Sequence, residues 1–246
     1  MRVVSLVPSW TATLIKAGLA PVGRTRFCVE PKGAVESIPV VGGTKQVDWA
    51  RIKELKPDVI LMDKEENTIS LADACPFPLI TTHVTDWPSM IEGLRLLQNK
   101  LESNQLVSWI ERAEKIKNCP RGQWNPEAPA GFLDWIQRPA EIPRLVSYVI
   151  WKNPWMVIQR ETFIADVLHR LGAELLVVSP KKYPTVELES LKDSLLLFST
   201  EPYPFAHQID ELRELNIEGT LVDGQAFSWF GCRAIEFLEH ELLQSP

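Results

Sequence analysis

At 246 residues the chain is long enough for one large domain or two small ones. With 45% hydrophobic and 24% charged residues it has the apolar content of a globular protein, which excludes disorder as the default. The net charge of −6 is scattered along the chain with no basic stripe to neutralise phosphates, which argues against a nucleic-acid partner. The opening Met1-Arg2-Val3-Val4-Ser5-Leu6-Val7 is too short an apolar run for a signal-peptide core and stops at Pro8. No stretch approaches the roughly 18 uninterrupted apolar residues of a membrane helix. The expectation is a soluble chain that does not span a membrane, cytoplasmic as it stands and periplasmic if an export signal has been removed. Cys28, Cys75, Cys119 and Cys232 form no CxxC pair, fit neither a zinc knuckle nor a disulfide scaffold, and read as reduced, mostly buried thiols.

Taken in chain order, Arg2 to Val7 reads as a strand, Pro8-Ser9 as a break, and Trp10 to Ala17 as a helix with Ser9 or Thr11 as its cap. Gly18 suits the left-handed residue past its end. Pro21 to Thr25 starts a second short strand. Trp49 to Leu55 is a short amphipathic helix, and Lys56-Pro57-Asp58 turns into Val59-Ile60-Leu61-Met62, the apolar run of a buried parallel strand. Asp63 to Ala74 is polar, then helical, and Pro78 to Thr82 is a further strand. Strands separated by helices imply crossovers and a parallel sheet. From Trp87 to Lys117 apolar residues recur at helical spacing, which predicts two helices with a break near Ser103-Asn104. Cys119 to Pro143, rich in proline, reads as irregular, and Leu145 to Ile150 resumes a strand.

The second half repeats the first. Val4-Ser5-Leu6 before a helix ending in Ala17-Gly18-Leu19-Ala20 matches Met156-Val157-Ile158 before one ending in Leu171-Gly172-Ala173. Ile52 to Leu55 before the Val59 strand matches Leu188 to Asp193 before Leu195 to Phe198. Each of these strands leads into a polar loop, Asp63 to Asn67 and Ser199 to Tyr203. Ligands of open parallel sheets gather at strand carboxyl ends, so the two loops are candidates to face one another across a cleft. The fold class is thus α/β, with two lobes built on parallel sheets.

Arg2 to Ser9, Pro21-Val22-Gly23, Val41-Gly42-Gly43 and Leu55-Lys56-Pro57-Asp58-Val59-Ile60-Leu61 occur in an order and spacing that resembles the class III periplasmic substrate-binding proteins. These are the helical-backbone receptors for cobalamin, haem and ferric siderophores that serve ABC importers, and the cobalamin-binding branch is the most similar. Thr162 to Asp166, Leu171-Gly172-Ala173, Tyr183 to Val186, Asp223-Gly224 and Ser228 to Gly231 extend the resemblance over nearly the whole chain. It implies two Rossmann-like lobes at 1–102 and 120–246 joined by a single long helix within 103–119, with Asp63 standing where an aromatic is expected of a cobalamin binder. It also implies docking onto permease arginines through one acidic residue from each lobe, here Glu65 and Glu201.

The candidate ligand-binding residues are Ser9, Trp10, Thr11, Phe27, Lys45, Glu66, Asn67, Trp151, Trp155, Tyr203, Phe205 and Trp229. Ser9-Trp10-Thr11 offers either helix-start N–H groups to a ligand or a simple cap. Lys45 lies on the cleft rim by the family pattern, and a Walker loop is excluded because its glycines and lysine stand in the wrong order. The aromatics suit the flat face of a corrin or porphyrin, or else the lobe cores. Trp151-Lys152-Asn153-Pro154-Trp155 is the strongest contact loop, since a polar turn carrying two tryptophans resists burial. His83, His169, His207 and His240 form no HxH or HExxH cluster, so no direct metal site is expected. Nor is there a nucleophile elbow or catalytic pair, so no catalytic residue and no resident cofactor are expected. The reading is a substrate-binding protein for an ABC importer, taking cobalamin, haem or a ferric siderophore. Its rivals are a cytoplasmic carrier, sensor or partner-binding module of the same fold, and more remotely an enzyme or cofactor-assembly factor.

Overall fold

The computed structural model describes residues 1–243. It divides into two compact units, Met1–Asn118 with Trp229–Ile235, and Cys119–Ser228 with the chain from Glu236 onward.

The first unit is built on four parallel strands, β1 (Val3–Ser5), β2 (Gly23–Arg24), β3 (Val59–Asp63) and β4 (Leu79–Thr82), in the order β2-β1-β3-β4. β1 and β3 are buried throughout, as strands of a sheet covered on both faces must be. Val4, Leu6, Ile60 and Met62 form the core on one face with Ile52. The unit's helices are α1 (Pro8–Lys16), α2 (Trp49–Glu54), α3 (Ile69–Asp73), α4 (Trp87–Leu101) and α5 (Val107–Lys117). Asp86 and Ser89 close a capping box at the start of α4. Inside this helix Gly93 is needed for packing, because a Cβ there would stand 2.7 Å from the Trp10 ring. A 3-10 turn, Asn104–Leu106, separates α4 from α5 where a break is expected. α5 packs on this unit through Ala113, whose carbonyl accepts from Trp87 Nε1 at 2.9 Å.

The second unit carries β5 (Phe132–Gln137), β6 (Leu145–Trp151), β7 (Met156–Val157), β8 (Glu174–Leu175), β9 (Ser194–Ser199) and β10 (Gly219–Val222). Their order is β5-β10-β9-β6-β7, with β8 also on β6. β6, β8, β9 and β10 run parallel, whereas β5 and β7 are antiparallel edges. Helices α6 (Phe163–Arg170), α7 (Ile209–Glu214) and α8 (Gly224–Ser228) belong here, and α9 (Cys232–Leu243) starts in the first unit's share of the chain. Val149, Val157, Phe198, Phe205 and Leu212 lie in its core.

The repeat is clearest at two helix ends. Gly18 at φ +75° and Gly172 at φ +91° follow α1 and α6. After each helix two N–H groups fold back onto the last turn, Gly18 to Ile15 and Leu19 to Leu14, Gly172 to His169 and Ala173 to Leu168. Three expectations need correction. The segment 119–143 is not wholly irregular, since β5 runs through it along Gly219–Val222. The strand before α6 is an antiparallel two-residue edge rather than a counterpart of the parallel β1, so the second sheet is mixed. Ser9 and Thr11 do not cap α1: the helix starts at Pro8, whose fixed φ suits a first helical position, and Val7 takes the cap place without a side-chain bond.

Candidate functional site

In the first unit all four strands point their carboxyl ends the same way, and the loops that follow are bonded into one surface. Asn67 is the knot. Its Nδ2 donates to Leu6 O at 3.2 Å, after β1, and to Thr44 O at 2.8 Å, while its Oδ1 accepts from Asp63 N at 2.9 Å. Asp63, fully buried at the end of β3, accepts from Glu65 N at 2.9 Å and Val84 N at 3.1 Å, and from the Thr82 hydroxyl at 2.6 Å. Thr82 Oγ1 in turn accepts from Trp10 Nε1 at 2.9 Å. Burial pushes the Asp63 carboxyl above its usual value, against these stabilising donors. The aspartate that departs from the expected aromatic therefore joins the loops after β3 and β4.

A pocket of about 470 Å³ opens beside this knot, lined by Arg26, Phe27 and the turn Gly42–Asp48. The turn is tight: Gly43 N donates to Gln46 O at 2.7 Å. Gly42 lies at φ +138°, where a Cβ would come within 2.6 Å of Gln46 O. Phe27 is 46% exposed, with the Arg26 guanidinium 4.8 Å above its ring, and Lys45 donates to Glu66 O. Arg26 was not among the residues anticipated. Behind the pocket Cys28 is buried, its Sγ 3.1 Å from Thr11 Oγ1 and 3.2 Å from Thr25 Oγ1, and burial pushes its thiol up.

In the second unit the carboxyl ends of β6 and β9 carry an aromatic cluster. Trp151 is 41% exposed and meets Tyr203 edge-on at 5.3 Å. Below them Tyr203 contacts Phe205 at 4.6 Å, and Trp155 stacks on Phe205 at 6.2 Å. The Trp151–Trp155 turn is held by Lys152, which is buried and pairs with Glu211 Oε1 at 2.5 Å. Asn153, at φ +60°, makes the reversal.

Of the anticipated residues, the first unit thus gathers Phe27, Lys45, Glu66 and Asn67, and the second Trp151, Trp155, Tyr203 and Phe205. Ser9, Trp10 and Thr11 are buried within α1, with Trp10 edge-on to Phe230 at 4.9 Å and Thr11 bonded to Val7 O. Phe205 is fully buried and Trp229 nearly so. These side chains form the floor of their units rather than an open face. Glu65 pairs with His83 at 3.0 Å, and Glu201 accepts from Gln225 Nε2 at 3.0 Å. Among the described residues no three His, Cys, Asp or Glu side chains are placed to hold a metal ion. No helix among them is long and apolar enough to cross a membrane.

Residues 3–77 match the family model described as periplasmic binding protein. No curated protein matches. Solved structures match over almost the whole chain. The periplasmic vitamin B12 binding protein BtuF of Vibrio cholerae is 15% identical with a TM-score of 0.67, covering 98% of this chain and 95% of that one. IsdE of S. aureus, solved with heme, is 14% identical with a TM-score of 0.72, covering 97% and 96%. A periplasmic heme binding protein from Pseudomonas aeruginosa is 16% identical with a TM-score of 0.70, covering 100% and 94%. The chain therefore shares the fold of these solved periplasmic binding proteins, and its residues 3–77 match the family model of that description.

Proposed function

We propose that the protein is a non-catalytic substrate-binding protein that takes up a large metal chelate, a corrinoid, haem or ferric siderophore, on the loops at its strand carboxyl ends and delivers it to an ABC permease. The observation that carries this reading is the pairing of surface and fold. Partly exposed Trp151 and Tyr203 offer flat apolar faces in one unit, Phe27 with Arg26 offers another, and the fold is one whose solved examples include B12 and heme binders. Flat faces bind a macrocycle by dispersion and area burial, and few polar groups are needed to orient it. The ligand supplies its own metal, so the protein needs no coordinating cluster.

In this reading the direct contacts are Phe27, Lys45, Glu66, Trp151, Trp155 and Tyr203. Asn67, Trp10 and Phe205 hold them in place. The segment 103–119, with α5 within it, is the connection between the units, and Glu65 and Glu201 meet the permease. Titrating cyanocobalamin, haemin and ferric siderophores against tryptophan fluorescence tests the proposal: saturable binding of one of them is expected, and binding of none removes it. Fractionation of the source cells separates the importer role, which needs the protein outside the cytoplasmic membrane, from a carrier or sensor working inside it.

A further inference from the structure

The pocket beside Phe27 narrows the ligand class. Its two cationic heads have almost nothing to neutralise them. Among the described residues no carboxylate lies within ion-pairing distance of the Arg26 guanidinium and no group accepts a hydrogen bond from it; its contact is the Phe27 ring at 4.8 Å. The Lys45 ammonium donates to the Glu66 carbonyl and forms no ion pair there, leaving donors to spare. Among the described residues the acid lining the pocket, Asp48, caps α2 by accepting from Arg51 N at 3.0 Å and forms an ion pair with neither cation. Neighbouring main-chain donors are engaged too: Arg26 N bonds Gly42 O, Gly43 N bonds Gln46 O, and Phe27 N bonds Thr25 Oγ1.

Both cations are exposed and stand against a fixed turn. A Cβ at Gly43 would stand 3.3 Å from the Phe27 ring and 3.4 Å from the Arg26 guanidinium, so this glycine lets the pair pack down against the turn. The turn itself is fixed from the other side by Asn67 on Thr44 O and by Lys45 on Glu66 O. A guanidinium over an aromatic ring, with an ammonium lining the same pocket, matches a carboxylate attached to a flat body.

We propose that Arg26 and Lys45 bind a carboxylate carried by the ligand, so that the chelate is an acidic planar one and not a neutral one. This rests on the function proposed above. The experiment compares haemin with its dimethyl ester, and both with neutral cyanocobalamin, on the full chain and on Arg26→Ala and Lys45→Ala. The free acid is expected to bind about tenfold or more tighter than the ester, the weight of one charge-assisted hydrogen bond. Arg26→Ala should erase most of that preference by weakening the acid. Equal binding of acid and ester, equal weakening of both by Arg26→Ala, or binding of cyanocobalamin alone overturns the inference while the binding function stands. If no chelate binds, the function fails, and phthalate then probes the pocket by itself. Saturable NMR shifts lost in Arg26→Ala support the inference, and no shifts overturn it.

Discussion

Replacing Asn67 with alanine tests the claim that one side chain knits the strand-end loops of the first unit together. The substitution removes two donors and one acceptor. It leaves Leu6 O, Thr44 O and Asp63 N without the partners now at 3.2, 2.8 and 2.9 Å, in a place where the side chain is 7% exposed. At a net 0.5–1.5 kcal/mol for each bond, with unsatisfied buried groups at the upper end, the loss is about 2–4 kcal/mol. Urea unfolding read by tryptophan fluorescence and far-UV circular dichroism measures it; with a slope of roughly 1–3 kcal/mol per molar, the midpoint falls by about 1 M or more. Asn67→Asp is the sharper companion. It keeps the acceptor for Asp63 N but loses both donors and sets a second carboxyl beside Asp63. It should cost at least as much at neutral pH and recover part of the loss toward pH 4, when the protonated carboxyl can donate. If Asn67→Ala costs less than about 0.5 kcal/mol, the range of an ordinary surface change, the knot does not hold the loops and the argument built on it fails.

Gly172→Ala should be far more damaging than Gly18→Ala, although both glycines end equivalent helices. The new Cβ would lie 2.3 Å from Gly122 O in the first case but 3.5 Å from only the Gln105 side chain in the second. Gly18→Ala should therefore cost about 1–2 kcal/mol, the left-handed backbone penalty alone, and comparable melting shifts for the two would contradict this. Asp63 predicts a pH effect of unusual sign for a carboxylate. Its folded pKa is raised, so the folded chain holds its proton more firmly. The stability it contributes is fully present below the unfolded value of about 3.9 and is lost as pH rises through the folded one. The difference in unfolding free energy between wild type and Asp63→Asn should shift toward the wild type as pH falls from 7 to 4.5, and a flat difference would refute it. Trp151→Ala should weaken chelate binding by tenfold or more while leaving stability within about 1 kcal/mol, because the ring is 41% exposed and its loop is held by Lys152 and Glu211. Equal binding by wild type and variant would remove Trp151 from the contact surface.

Features written in short stretches of chain were legible in the sequence. Gly18 and Gly172 mark helix ends because a left-handed residue is a local requirement, and the apolar run Val59 to Met62 is a buried parallel strand on composition alone. β5 was hidden because its residues are mostly exposed, Phe132, Leu133 and Asp134 in succession, so no alternation of apolar and polar residues signals an edge strand. Ser9 has the residue type of a cap because serine favours that place, but Pro8 sets the helix start two residues earlier. Asn67 was correctly placed in the strand-end loop, yet its bonds reach residues 61 and 23 positions away, which no local pattern records. Arg26 was missed for a similar reason. What distinguishes it is the lack of a counter-charge, a property of the folded surroundings; its only local hint is a cation next to an aromatic just past a strand.

Hydrogen–deuterium exchange on the protein with and without the chelate that binds tests the central claim most directly. Protection is expected at 26–27, 42–48 and 63–67 in the first unit and at 151–155 and 200–205 in the second. Protection confined to the β5 edge or to α9, with these loops unchanged, would contradict it.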